Sequence, residues 1–120
     1  MNQNRLLGTG WERVAELFLH QNGLKTVTRN FNCRLGEIDL VMEDGQCLVF
    51  AEVRFRKSSA HGTGAESVGK TKQARIIRAA HRYLQLHSHR ANQACRFDVL
   101  SLEDRDGKPS VDWIRNAFTA

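Results

Sequence analysis

The chain has no long apolar run. None of its apolar stretches approaches the roughly 20 residues that a membrane-spanning helix needs, and the opening "MNQNRLLGTGWER" lacks the apolar core of a secretory signal peptide. Cysteine is scarce too: Cys33, Cys47 and Cys95 are odd in number and form no CxxC pair, which argues against a structural zinc site and favours reduced thiols. We therefore expect a cytoplasmic protein with no membrane partner.

Internal repeats, low-complexity tracts and linker-like segments are also absent. The 120 residues suffice for one domain with a hydrophobic core but not for two, so we expect a single domain over residues 1–120. The formal net charge of +5 favours a polyanionic partner such as nucleic acid. The position of those charges matters more than their total.

Apolar periodicity predicts an α/β fold with the order α-β-β-β-α-β-β, in which a mixed central sheet is flanked by two helices. The predicted helices cover 11–22 and 71–86, and the predicted strands cover 25–31, 37–42, 49–56, 97–102 and 111–114. A polar, glycine-bearing loop is predicted over 57–65.

The strand "VFAEVRFR", residues 49–56, carries an unusual set of charges. One face is wholly apolar, while the other presents Glu52, Arg54 and Arg56 after Phe50. A strand this apolar is expected near the centre of the sheet, where charges are costly unless they are paired or bound to an ion. The sequence thus predicts that these side chains have a partner.

The turn "EDGQ", residues 43–46, predicts a tight hairpin in which Glu43 pairs with Gln46. That register sets Asp39 opposite Phe50, diagonal to Glu52. Opposed residues share a face of the sheet. The side chains predicted to project from this face are Glu37, Asp39, Glu52 and Arg54.

Three acidic groups on one apolar hairpin repel each other unless their charge is balanced. Ion pairs with Arg34, Arg54 or Arg56 are one solution, and a hard divalent cation is the other. Carboxylates holding a metal beside arginines suit phosphodiester chemistry, because a metal polarises the phosphate while a cation stabilises the developing charge.

These motifs resemble those of a known family. "GEIDLV" followed by "VFAEVRFR" is similar to the D…ExK core of the restriction-endonuclease-like PD-(D/E)xK nuclease superfamily. More narrowly, the chain resembles the YraN family of small, uncharacterised bacterial proteins predicted to be endonucleases. The likeness spans nearly the whole chain. The further segments that carry it are "GTGWERVAELFL", "RNFNCRLGEIDLV", "GKTKQARI", "RFDVL" and "WIRNAF".

The resemblance implies a Mg²⁺- or Mn²⁺-dependent endonuclease that acts on DNA, including branched or damaged DNA, as a homodimer. Asp39 and Glu52 match the two metal-binding acids, and the backbone carbonyl of Val53 would complete the coordination. Glu12, on the first helix, matches a further acid that helps to hold the metal in related nucleases and junction resolvases. The residues implied to lie behind the metal ligands or to contact phosphate are Glu37, Arg56, Lys72 and Gln73.

One position departs from the superfamily pattern: the catalytic lysine is replaced by Arg54. Arginine does not lose its proton in proteins and so cannot serve as a general base, although it can bind a phosphate bidentately. This departure leaves a second interpretation open, in which the protein is a non-catalytic nucleic-acid-binding module that retains the nuclease fold.

A third reading comes from "GAESVGKT", residues 64–71, which matches the P-loop pattern G-x-x-x-x-G-K-[ST] of nucleotide-binding proteins. Its context is poor, because a P-loop follows its strand directly, whereas "KSSAHGTG" intervenes here. We expect at most a phosphate contact of a nucleic acid at the helix start, Gly69-Lys70-Thr71.

Overall fold

The computed structural model describes residues 3–56 and 68–120, with the backbone alone for residues 3–9. The predicted order of elements is confirmed. The helices and strands are α1 (Gln3–Gln21), β1 (Lys25–Cys33), β2 (Gly36–Asp44), β3 (Cys47–Phe55), α2 (Lys70–Leu86), β4 (Cys95–Arg105) and β5 (Lys108–Phe118). The loop predicted over 57–65 lies outside the described residues, as do residues 64–67 of the P-loop-like motif.

The five strands form one mixed sheet in the order β1-β2-β3-β4-β5. Strands β3 and β4 are parallel, and every other neighbouring pair is antiparallel. A parallel pair requires a crossover connection, and here the connection includes α2. The strand β3 is therefore central, as its apolar sequence predicted.

Each helix covers one face of the sheet. On one face, α2 packs through a buried stripe that contacts alternate residues of the central strands, among them Phe50. On the other face, α1 packs against the intervening residues, among them Val49 and Ala51. The apolar faces of β3 are thus those that the alternation predicted. The α2 stripe consists of Ile76, Ala79, Ala80 and Tyr83.

The β2–β3 turn lies one residue farther along the chain than predicted. Asp44 pairs with Cys47, so the turn is Gly45-Gln46, and the predicted pairing of Glu43 with Gln46 is wrong. Gly45 has φ +60° at the first central position, where a type II′ turn places glycine. An Asp-Gly signal places the glycine in a turn but does not decide which of the two central positions it takes.

The predicted opposition of Asp39 to Phe50, and of Glu37 to Glu52, is wrong for the same reason. Each residue of β2 pairs with a residue of β3 two positions later than predicted. Because side chains alternate between faces with period two, a shift of two positions leaves the paired residues on their predicted faces. One position beyond the last ladder pair, the observed register brings Asp39 beside Glu52 instead of setting it on the diagonal.

The alternation of β2 breaks at Asp39. Ile38 belongs to the cluster under α2, whereas Leu40, only two residues later, belongs to the cluster under α1. Across the ladder in β1, Asn30 lies opposite Asp39 and has a positive φ of 52°, a conformation that asparagine tolerates better than most residues. The backbone is therefore distorted at the acid that the sequence singled out.

The last strand is longer than predicted, covering Lys108–Phe118 instead of 111–114. It is an edge strand, where Pro109 is tolerated near the start because its missing N–H breaks no central ladder. With one strand neighbour and many exposed side chains, β5 carries only a weak apolar alternation. Within residues 3–56 and 68–120, no helix is long and apolar enough to cross a membrane.

Candidate functional site

Three carboxylates from three elements converge on one open cavity of about 270 Å³. Glu12 comes from α1, Asp39 from β2 and Glu52 from β3. The cavity lies where β2 and β3 cease to pair, between the N-terminal turns of α2 and the middle of α1. Its walls are formed by Trp11, Glu12, Glu37, Asp39, Glu52, Val53, Phe55 and Lys72.

Asp39 is held by the backbone of the neighbouring strand. Its Oδ2 accepts a hydrogen bond of 2.8 Å from the amide of Val53. This bond forms just past Leu40–Ala51, the last ladder pair, so a carboxylate satisfies an amide that the ladder no longer reaches. The backbone of β3 therefore helps to position Asp39.

Glu52 is buried, with 6% of its surface exposed. Its Oε1 lies 3.1 Å from Nζ of Lys72, which stands in the first turn of α2. An isolated carboxylate at such a depth is costly, and the ammonium group offsets part of that cost. Lys72 is itself about half exposed, so it reaches from the surface into the site.

Glu12 lies near both Asp39 and Asn30. With its amide nitrogen assigned toward the helix, Asn30 donates to both carboxylate oxygens of Glu12 at 3.2 Å. Asp39 lines the same cavity as Glu12. One turn farther along α1, the buried Glu16 forms an ion pair with Nη2 of Arg29 at 2.8 Å. This ion pair joins α1 to β1 and so helps to position Glu12 over the sheet.

Burial, together with neighbouring negative charge, raises the pKa of all three acids. Burial, and then the charge of Asp39, raise the pKa of Glu12 to about 7, and the same two causes raise the pKa of Glu52 to about 7. Burial also raises the pKa of Asp39 in spite of the bond from Val53. Lys72 and Arg54 oppose the rise in the pKa of Glu52. Such a cluster favours a bound cation.

The residues fit a hard divalent ion that keeps part of its water shell. Among the residues that the structure describes, no group of three or more His, Cys, Asp or Glu side chains is arranged to hold a metal on its own. Mg²⁺ is usually held by one or two carboxylates together with water and phosphate oxygens, which Asp39 and Glu52 suit. In the present arrangement, the ammonium of Lys72 is the cation beside Glu52.

The remaining predicted residues make different contacts. Glu37 is exposed and lines the cavity, and its charge raises the pKa of Asp39. Arg56 continues the sheet, since its amide donates to the carbonyl of Leu102 at 2.7 Å. Gln73 donates from its side-chain amide to the Val68 carbonyl at 2.9 Å, beside the start of α2. The predicted roles of these residues, of Arg54 and of the Val53 carbonyl stay predictions.

A second cavity of about 480 Å³ adjoins the first and shares Glu37 and Lys72 with it. It lies between the β1–β2 turn and α2. These two elements touch at Gly36, where an added Cβ would meet the carbonyl oxygen of Arg75 at 2.8 Å. Gly36 is therefore required for α2, and hence Lys72, to approach the strand of Asp39. The other residues that line this cavity are Asn32, Cys33, Arg34, Leu35, Gly36, Arg75 and Ile76.

The hypothesis that residues 64–71 form a nucleotide-binding P-loop finds little support in the described residues. The strand β3 ends at Phe55 and α2 begins at Lys70, whereas a P-loop joins its strand to its helix directly. The helix start has Gly69 as its N-cap, with no hydrogen bond from a capping side chain.

Sequence reasoning missed three residues of the site. Asn30 was not singled out, although asparagine is a residue that accepts positive φ in a strand. Trp11 and Phe55 were assigned only to a helix and an apolar strand face, but they stack on each other in the wall of the acidic cavity with ring centroids 4.4 Å apart. No local pattern indicates that contact, because it joins elements far apart in the chain.

Comparison with known sequences gives a consistent result. Residues 11–102 match the family described as "Uncharacterised protein family UPF0102". A UPF0102 protein of Aeromonas hydrophila is 48% identical over 112 residues, covering 92% of this chain and 83% of the relative. A UPF0102 protein of Ectopseudomonas mendocina is 43% identical over 120 residues, covering the whole of both chains.

Proposed function

We propose that this chain, which belongs to the uncharacterised protein family UPF0102, the YraN family that its motifs resemble, is a Mg²⁺- or Mn²⁺-dependent endonuclease that hydrolyses phosphodiester bonds in DNA. The observation that carries the proposal is the convergence of Glu12, Asp39 and Glu52, with raised pKa values, beside the ammonium of Lys72. Acids crowded in this way around one cavity are a common feature of catalytic sites.

In the proposed mechanism, Asp39 and Glu52 would hold the metal and Lys72 would bind the phosphate. A metal bound there would polarise the phosphate and lower the pKa of a coordinated water. Once Glu52 serves as a ligand, the ammonium of Lys72, now 3.1 Å from it, is available to the negatively charged phosphate. Glu12, whose pKa is raised to about 7 by burial and then by the charge of Asp39, would help to hold the metal as a further acid.

Arg54 has a different task from the lysine that it replaces. It stays charged, so its contribution is electrostatic: it lowers the pKa of Glu52 and stabilises the charge that develops on the phosphate. Lys72 is then the lysine beside the metal-binding acids, although it comes from α2 instead of β3.

The proposed substrate is DNA, including branched or damaged forms, and a homodimer would allow two strands to be cut. The test is cleavage of labelled linear, single-stranded and four-way-junction DNA with Mg²⁺ or Mn²⁺. The Asp39→Asn/Glu52→Gln variant keeps side-chain size but removes both charges. Asp112→Asn makes the same kind of change at an exposed position of the edge strand β5.

We expect the wild type and Asp112→Asn to cut and the double variant to be inactive. Equal cutting by all three proteins would identify a contaminating nuclease or another active site, and would refute the proposal.

A non-catalytic nucleic-acid-binding module is the second candidate, and the observation that favours it is Arg54 at the lysine position. It predicts salt-dependent DNA binding without cleavage, unchanged by Asp39→Ala. A nuclease predicts instead that removing Asp39 abolishes cleavage.

A further inference from the structure

The two adjoining cavities, together called the groove below, differ in chemistry. They share Glu37 and Lys72, and the acids Glu12, Asp39 and Glu52 line only the first of them. One end is walled by the aromatic pair Trp11 and Phe55, and the other by the cations of Arg34 and Arg75. A chain that alternates charged phosphates with flat rings matches this sequence of surfaces.

The aromatic end presents a ring in a fixed orientation. Phe55 stacks on Trp11 with ring planes inclined by 26°, yet it remains 45% exposed. Single exposed apolar side chains are common and need no explanation. The Phe55 ring, however, packs on Trp11 on one side and lines the acidic cavity. It lies three residues after Glu52 in the same strand.

The basic end suits a phosphate backbone. Arg34 is exposed in the β1–β2 turn, and Arg75 is exposed on α2 one turn after Lys72. The three cations thus line the groove from the turn to the acidic cluster. Phosphate contacts of this kind position a strand without reading its sequence.

We propose that the groove binds a single-stranded or locally unpaired segment of nucleic acid, with one base stacked on Phe55 and phosphates held by Arg34 and Arg75. The inference rests on the proposed function and names its substrate class. Bases inside an intact duplex are stacked on their neighbours, so a lateral ring cannot reach their faces. Stacking on aromatic side chains is sequence-tolerant and is typical of proteins that bind single strands.

The test is binding, in EDTA, of an oligothymidylate that contains one 2-aminopurine, compared with a duplex of the same length. Phe55→Leu keeps an apolar side chain but removes the aromatic face, and Phe55→Tyr restores that face. Leu86→Ala is the control: Leu86 is 53% exposed and lies at the far end of α2, roughly 20 Å along the helix from Lys72 at 1.5 Å per residue.

We expect Phe55→Leu to raise the dissociation constant for the single strand about 5- to 150-fold, which corresponds to stacking of about 1–3 kcal/mol per base. Quenching of 2-aminopurine should disappear in this variant and return in Phe55→Tyr. Duplex binding should change less than about twofold, and Leu86→Ala should match the wild type in both assays.

Equal weakening of duplex and single-strand binding by Phe55→Leu, or no weakening of either, would overturn the inference. So would a wild type that binds the duplex as tightly as the single strand. EDTA prevents metal-dependent cleavage, so the result is independent of catalysis. If the wild type stacks a base on Phe55 but does not cleave DNA with Mg²⁺ or Mn²⁺, the proposed nuclease alone is refuted. If the wild type cleaves DNA but Phe55→Leu binds the single strand as the wild type does, the inference alone is refuted.

Discussion

Replacing Glu52 by glutamine should stabilise the protein at alkaline pH while it removes a predicted metal ligand. Glu52 is buried beside Asp39, and burial is the main reason that its pKa is raised to about 7 from 4.5. At 1.36 kcal/mol per pH unit, this difference corresponds to about 3 kcal/mol of unfolding free energy. The figure is an upper value because Asp39 and Glu52 titrate together.

The sign of the pH dependence follows from proton linkage. The folded state holds the Glu52 proton more tightly than the unfolded state does, since its pKa is higher when folded. The favourable contribution of the protonated group is therefore complete below about pH 4.5 and is lost as the pH rises through 7. Glutamine stays neutral throughout and avoids that loss.

Urea unfolding of the wild type and Glu52→Gln at pH 5 and pH 8, without metal, measures the effect. We expect the variant to be more stable by less than about 1 kcal/mol at pH 5 and by up to about 3 kcal/mol at pH 8, on the order of 10 °C in Tm. Asp112→Asn, at an exposed position, should match the wild type at both values. A variant that is no more stable than the wild type at pH 8 would refute the claim that Glu52 is held in an unfavourable charged state.

Three further predictions concern other residues. Arg54→Lys should preserve or raise cleavage, since lysine is the residue of the superfamily motif; complete loss of activity would contradict the electrostatic role of Arg54. Millimolar Mg²⁺ should raise the Tm of the wild type at pH 8 by relieving carboxylate repulsion, and calorimetry should find no such rise in Asp39→Asn. Gly36→Ala should lower the unfolding free energy by about 1–3 kcal/mol, because its Cβ meets a backbone oxygen of Arg75 at 2.8 Å. Gly10→Ala, in α1, where an added Cβ would meet no atom within 4 Å apart from its chain neighbours and the backbone of its own helix, should instead raise it by up to about 1 kcal/mol, and denaturant unfolding distinguishes the two.

The hairpin register shows where local patterns reach their limit. Period-two alternation predicted which residues of β3 share a face, and the structure confirms it. The same residues did not predict which partner lies opposite Asp39, because a shift of two residues leaves every face unchanged. The turn geometry at Gly45 decided between the two registers.

The extent of β5 escaped prediction for a related reason. An edge strand with one neighbour buries little surface, so its sequence shows weak alternation. Pairing with β4 along most of its length, and not local preference, makes it 11 residues long.

The sequence by itself determined the order of the elements, the faces of the central strand and the acids Asp39 and Glu52 as candidates, because these depend on residue types a few positions apart. Only the tertiary structure brought Lys72 onto Glu52 and Phe55 onto Trp11. These pairs join separate helices and strands, so their contact depends on how both helices pack against the sheet. No spacing along the chain carries that information.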